Sequence, residues 1–106
     1  MIKAKFDLNH NLITGFKVTG HADSGEYGHD IVCAAVSALA ISSVNGLITV
    51  CDVDPFVKQD EKNGGYLQVK IPDEHWDDVK AQTLLKSFMN GLKDISKQYS
   101  NYVEVK

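Results

Sequence analysis

The sequence has few of the residues that hold small proteins together by disulfides or metal ions. Only two cysteines, Cys33 and Cys51, occur in its 106 residues, and neither belongs to a Cys-x-x-Cys pair that would indicate a zinc site. A helix predicted between them would separate the two by about 27 Å, whereas a disulfide needs Cα atoms within about 7 Å. We therefore expect one domain, residues 1–106, with a hydrophobic core and neither disulfide nor metal.

Long apolar runs, excess basic charge and nucleotide-binding glycine motifs are also missing. The longest apolar stretch, residues 31–50, is interrupted by serine, asparagine and glycine, so no uninterrupted run predicts a membrane span. The N-terminal residues alternate and do not resemble a signal peptide. The 14 acidic residues outnumber the 11 Lys and Arg, and no G-x-G-x-x-G or P-loop motif is present. We expect a cytoplasmic protein without a membrane or direct nucleic-acid partner.

Hydrophobic periodicity predicts five strands and two long helices. The strands are predicted over residues 2–8, 12–19, 53–59, 66–71 and 102–105, and the helices over about 31–50 and 74–99. In the first two strands one face is predicted to carry Ile2, Ala4, Phe6 and Leu8, and Leu12, Thr14, Phe16 and Val18. Pro55 indicates an edge strand. The order β-β-α-β-β-α-β predicts an α+β sandwich in which two main helices cover a mostly antiparallel sheet.

The segment between the second strand and the first helix carries the candidate chemistry. Gly20, Gly25 and Gly28 lie in a stretch without apolar periodicity, which predicts a flexible loop beside the candidate site. Asp30 is predicted to cap the helix, which puts Cys33 in the first helical turn. The helix dipole stabilises an anion there, although the charge of Asp30 opposes a thiolate.

Cys33 and His21 are the candidate catalytic pair. A thiol is nucleophilic as thiolate, and an imidazole can take its proton and later give a proton to the leaving amine. His29 is the alternative base, but it directly precedes the predicted cap and is expected to point away. Since a cysteine in an apolar helix is more often a buried and inert residue, a packing role for Cys33 also stays open.

Two further residues are candidates for supporting roles. Asp30 is a candidate to orient His21, as the third member of a catalytic triad does. Ser37 lies four residues after Cys33, hence on the same helix face, and is either a pocket residue or a small packing residue bonded to the Cys33 carbonyl. The backbone N–H groups of Val32 and Cys33 are candidates for an oxyanion hole. Cys51 has no comparable neighbours and is predicted to be inert.

The sequence GHA at residues 20–22, followed by GHDIVCAAVSAL at residues 28–39, resembles the signature of the ribosomal-processing cysteine protease family. Chain length and element order match as well. The resemblance implies a bacterial cytoplasmic endopeptidase that removes the N-terminal extension of large-subunit ribosomal protein number twenty-seven, with cleavage after an aromatic residue. It also implies a homodimer in which His21 and Cys33 form the catalytic dyad, with Asp30 and Ser37 nearby. No cofactor is expected.

Two other functions stay open from the residues alone. A metal-binding module would use the imidazoles and carboxylates of His21, Asp23, Glu26, His29 and Asp30, but their spacing matches no established zinc or calcium loop. A non-enzymatic ribosome-associated binding protein would use Cys33 only for packing.

Overall fold

One five-stranded sheet forms the frame of the domain in a computed structural model, which describes residues 1–21 and 29–106 except the side chains of His29 and Asn63. Its strands are β1 (Ile2–Asn9), β2 (Leu12–Thr19), β3 (Phe56–Asp60), β4 (Tyr66–Lys70) and β5 (Val103–Val105). The order across the sheet is β3-β4-β2-β1-β5, and only β1 and β5 pair in parallel. The helices α1 (His29–Thr49) and α2 (Val79–Gln98) complete the predicted α+β architecture.

A bulge in the first hairpin changes which side chains enter the core. The pairing shifts between Asp7, which opposes Gly15, and Leu8, which opposes Ile13, so that Thr14 is the extra residue of β2. Ile13 is therefore buried in place of Thr14, and Leu8 is 61% exposed. The predicted face is wrong at Thr14, because the one-residue insertion in β2 reverses the alternation of that strand beyond it. The prediction that Leu8 is buried is wrong as well, although Leu8 opposes the buried Ile13.

The bulged segment is held by a buried amide on α2. The Gln82 side chain accepts a hydrogen bond from the Ile13 N–H at 2.9 Å and donates to the Ile13 carbonyl at 2.8 Å. It also donates to the Trp76 carbonyl at 2.8 Å. A buried peptide group without a hydrogen-bond partner costs about 1–3 kcal/mol. Gln82 avoids this cost by bonding both peptide groups of Ile13 beside the bulge.

Two elements begin later than their sequence patterns predict. Strand β3 begins at Phe56, after Pro55, and the preceding Val53 donates its N–H to the Leu47 carbonyl at the end of α1 instead of joining the sheet. Helix α2 begins at Val79, because the carboxylate of Asp78 caps it by accepting the Ala81 N–H at 3.0 Å. The prediction from Pro55 is confirmed, since β3 is an edge strand.

Glycines allow α1 and α2 to approach closely. A Cβ atom at Gly46 of α1 would lie 2.6 Å from Cδ1 of Leu84, and one at Gly91 of α2 would lie 2.9 Å from Cδ2 of Leu39. At each glycine a leucine side chain of the other helix thus packs against the backbone. A larger residue at either position would force the two helices apart or displace the leucine.

By length and composition alone, the segment Asp30–Thr49 of α1 could cross a membrane, which its interrupted apolar pattern did not predict. This is weak evidence, because the core helix of a globular domain has the same composition. Here the inward side of α1 belongs to the same buried cluster as the sheet, through residues that include Val36, Ala40 and Leu47. About a third of the segment is buried, and its opposite side is exposed.

Candidate active site

Strand β2 ends at a glycine that fixes the direction of the chain. Gly20 has a φ of 81°, and a Cβ atom there would lie 2.6 Å from the carbonyl oxygen of Met1. Its N–H donates a hydrogen bond to the Gly65 carbonyl at 3.2 Å. The turn that leads to His21 therefore needs glycine and is held in place at Gly20. Gly25 and Gly28, the other members of the predicted flexible loop, lie outside the described residues.

Two side chains of α1 bond the main chain of this turn. The Cys33 thiol donates to the Gly20 carbonyl at 3.7 Å, and the Ser37 hydroxyl donates to the His21 carbonyl at 3.0 Å. Positions four apart share a helix face, so α1 presents both groups to the same short segment. Ser37 thus bonds His21, and not the Cys33 carbonyl as the packing alternative predicted.

The imidazole of His21 is buried, with 8% of the residue exposed. Burial lowers the pKa of His21 below its ordinary value, because the charged form loses its hydration; the negative charge of Glu61 acts in the opposite direction. The buried Nδ1 has no hydrogen-bond partner among the described residues. At neutral pH the lowered pKa favours the neutral imidazole, which is the form that accepts a proton from a thiol.

The first helix begins earlier than predicted. Helix α1 starts at His29, so Asp30 lies within its first turn and does not cap it. Cys33 is then the fifth helical residue, beyond the four N–H groups that a helix leaves unpaired. Val32 is the fourth residue by the same count, so the oxyanion-hole prediction loses its basis for the Cys33 N–H and stays a prediction for that of Val32. An orienting role of Asp30 toward His21 stays a prediction, as does the choice against His29, whose side chain is not described.

Glu61 is a charged neighbour of His21 that the sequence did not indicate. It immediately precedes the short 3-10 turn Lys62–Gly64 that joins β3 and β4. Tyr66, at the start of β4, pairs with Asp60 on one side and with Thr19 on the other, so this turn reaches the end of β2. The proximity arises from strand pairing alone, and no local motif carries it.

Cys51 matches Cys33 in burial but not in surroundings. Each cysteine is 6% exposed, and neither is in a disulfide. Burial raises the pKa of the Cys51 thiol, Asp78 acts in the same direction, and Lys80 opposes them. A raised pKa keeps this thiol protonated and poorly nucleophilic. The structure thus supports an inert Cys51.

The metal-binding alternative gains no support from the described part of the chain. Among residues 1–21 and 29–106, no group of three or more His, Cys, Asp or Glu side chains is arranged to hold a metal ion. Asp23 and Glu26 of the proposed ligand set lie outside those ranges.

Comparison with known proteins decides the class of this protein. The model of the family described as "Cysteine protease Prp" matches residues 1–104. The chain belongs to this family. The Prp family consists of peptidases, so the chain is a cysteine protease and not a purely non-enzymatic binding protein.

Individual relatives agree with membership of the Prp family. The ribosomal processing cysteine protease Prp of Staphylococcus aureus is 37% identical over 93 residues, which cover 88% of this chain and 85% of the relative. The crystal structure of SMU.848 from Streptococcus mutans has a TM-score of 0.96 at 36% identity, covering 100% of this chain and 92% of the other.

Solved structures of the S. aureus relative include two with bound peptides. One is described as the protease in complex with a substrate peptide, with a TM-score of 0.87 at 33% identity. The other is described as a complex with a covalently linked product peptide, with a TM-score of 0.87 at 34% identity. Each comparison covers 100% of this chain and 98% of the other. The peptide-bound S. aureus protease therefore has the same fold as this chain.

We predict that Glu61→Gln lowers the pKa of His21 further, because it removes the negative charge that stabilises the imidazolium. NMR titration of the His21 imidazole measures this directly. The acidic limb of the pH profile of kcat/KM should move to lower pH as well.

Glu74→Gln is the matched control, since Glu74 is an exposed acid that has no share in the shifted pKa of His21. An unchanged or raised His21 pKa in Glu61→Gln would contradict the prediction.

Proposed function

We propose that Cys33 is the nucleophile and His21 the general base of an endopeptidase. The observation that carries this assignment is the hydrogen bond from the Cys33 thiol to the Gly20 carbonyl. Gly20 directly precedes His21, whose imidazole is buried and has a lowered pKa. Ser37 is a positioning residue, because its hydroxyl holds the His21 carbonyl at 3.0 Å.

The reaction follows from these roles. His21 takes the proton of the Cys33 thiol, and the thiolate sulfur attacks the carbonyl carbon of the scissile peptide bond. The resulting imidazolium donates that proton to the leaving amine as the carbon–nitrogen bond breaks, which leaves a thioester on Cys33. His21 then removes a proton from water, which attacks the thioester, and the thiolate leaves and is reprotonated. The chain acts as both acid and base through one imidazole, without a cofactor.

The proposed substrate is bacterial large-subunit ribosomal protein number twenty-seven, carrying an N-terminal extension. The protease would cleave this extension off after an aromatic residue. We place this reaction in the cytoplasm. The names of the relatives support a ribosomal substrate. A covalently linked product on the S. aureus protease fits catalysis through a thioester.

Cys33→Ala should abolish cleavage of the extended ribosomal protein, with a fall of about 10⁴-fold or more, because no other group replaces the nucleophile. Intact mass spectrometry of the products measures the reaction and locates the cleaved bond. The wild type should give one cut after the aromatic end of the extension.

Cys51→Ala is the matched control, since Cys51 has the same 6% exposure as Cys33, and it should retain cleavage. Activity in Cys33→Ala, confirmed as folded by circular dichroism, would remove Cys33 as nucleophile. Cleavage at another kind of residue would remove the aromatic preference and leave the nucleophile in place.

We also propose that α1 forms the interface of a homodimer. Ile31, Ile41 and Ile48 are 58%, 49% and 45% exposed on its outer side. Three exposed alanines lie between them on the same side: Ala34, Ala35 and Ala38. Small residues allow two helices to approach closely, while the isoleucines provide apolar area that a dimer would remove from water.

Light scattering should therefore give a mass about twice the 11.7 kDa of one chain. Ile41→Asp should shift the mass to that of a monomer, because the new carboxylate would be buried without a partner. Val79→Asp is the control, since Val79 is 78% exposed on α2, and it should stay dimeric. A monomeric wild type would contradict the proposed dimer.

A further inference from the structure

The side of the sheet turned away from the helices collects more than half of the lysines of the chain. In each strand the residues that alternate with the buried ones point to this side. Its lysines are Lys3, Lys5, Lys17, Lys58, Lys70 and Lys106, all exposed, which is six of the 11 cationic residues. Three acids share the side: Asp7, Asp60 and Glu104. This open face thus has three more positive than negative side chains, although the chain as a whole carries −3.

Strand pairing places some of these lysines directly against one another. Lys5 of β1 opposes Lys17 of β2, and like charges in opposed positions destabilise a sheet. Among the residues that the structure describes, the ion pair found on this face joins Lys106 to Glu104 at 3.1 Å. Lys5 and Lys17 have no such neutralising pair within residues 1–21 and 29–106, so an anion from outside would relieve their repulsion.

The lysines line a shallow concavity. Its volume is about 220 Å³, and it is lined by residues of β1 and β2 together with the C-terminal residues, among them Lys3, Lys5, Lys17 and Lys106. Cationic side chains converge there from β1, β2 and the C-terminal residue Lys106, and Glu104 of β5 lies among them. This arrangement suits a chain of anionic groups that runs across the sheet.

Aromatic side chains lie among the lysines. Phe56 on edge strand β3 is 68% exposed and pairs with Lys70 of β4. Tyr66, on the same face, is half-buried and donates its hydroxyl hydrogen bond to Gln68 at 3.2 Å. Open sheets bind single-stranded RNA by stacking aromatic rings on its bases and by contacting its phosphates with cationic side chains. This face offers both kinds of group.

We propose that this open face binds single-stranded RNA through its phosphates, with Phe56 stacking on a base. We expected no nucleic-acid partner because the net charge is negative and the sequence shows no clustered basic face. The folded sheet brings lysines from separate strands to one side, which the sequence does not reveal. The chain contains no arginine, and arginine supplies the planar bidentate contacts that often read bases. Binding is therefore expected to depend on phosphate charge and not on RNA sequence. The exposed ring favours RNA over an acidic protein, whose carboxylates would need only the lysines.

Fluorescence anisotropy of a labelled oligouridine of about ten nucleotides tests the proposal on the full chain. The wild type should bind with a Kd on the order of 10⁻⁴ to 10⁻⁶ M that weakens with salt. Lys5→Gln/Lys17→Gln should weaken binding about ten-fold and reduce the slope of log K against log salt by about 1.4, since each phosphate contact on a single strand contributes about 0.7.

Lys86→Gln/Lys93→Gln is the matched control, because both lysines are exposed on α2, and it should bind as the wild type does. Phe56→Ala should weaken oligouridine binding several-fold but leave binding of inorganic polyphosphate unchanged, since polyphosphate has no bases to stack.

Three results would overturn the proposal: no salt-dependent binding by a folded wild type, equal losses in the two lysine variants, or an equal effect of Phe56→Ala on both polymers. Binding of polyglutamate or of anionic lipid vesicles without binding of oligouridine would assign the face to an acidic protein or a membrane, and would overturn it as well.

Discussion

The candidate site depends on two hydrogen bonds that join the end of β2 to the side of α1. Cys33 and Ser37 bond successive carbonyls, those of Gly20 and His21, so the helix that buries the core also carries the proposed nucleophile to the proposed base. Gly20 makes this geometry accessible, because its positive φ and its contact with Met1 leave no space for a side chain. The candidate site thus lies at the junction between the sheet and α1.

The candidate site residues, Ser37 and Gly20 among them, could be named from the sequence because they belong to a local motif, whereas contacts between distant segments could not. Period-two and helical patterns predicted the elements, but the bulge at Thr14 and the cap at Asp78 depend on which residues meet across the fold. The predicted cap at Asp30 was wrong for a local reason, since an aspartate stabilises a helix from within its first turn as well as from the cap.

Charge distribution was the property least accessible to the sequence. Glu61 acts on His21 because the β3–β4 turn reaches the end of β2, and the lysines of the open face come together from strands distant in sequence. A net charge of −3 is the sum of two unlike surfaces. Since strand order and register decide which charges are neighbours, only the folded sheet reveals both effects.

Activation of Cys33 by His21 can be measured through the rate at which iodoacetamide alkylates the thiol. Peptide mass spectrometry reads the modification of Cys33 and Cys51 separately in the wild type and in His21→Gln. Cys33 should react faster than the equally buried Cys51 in the wild type, and this difference should disappear in the variant. Equal rates in the wild type, or a fast Cys33 that does not depend on His21, would exclude His21 as the group that activates Cys33.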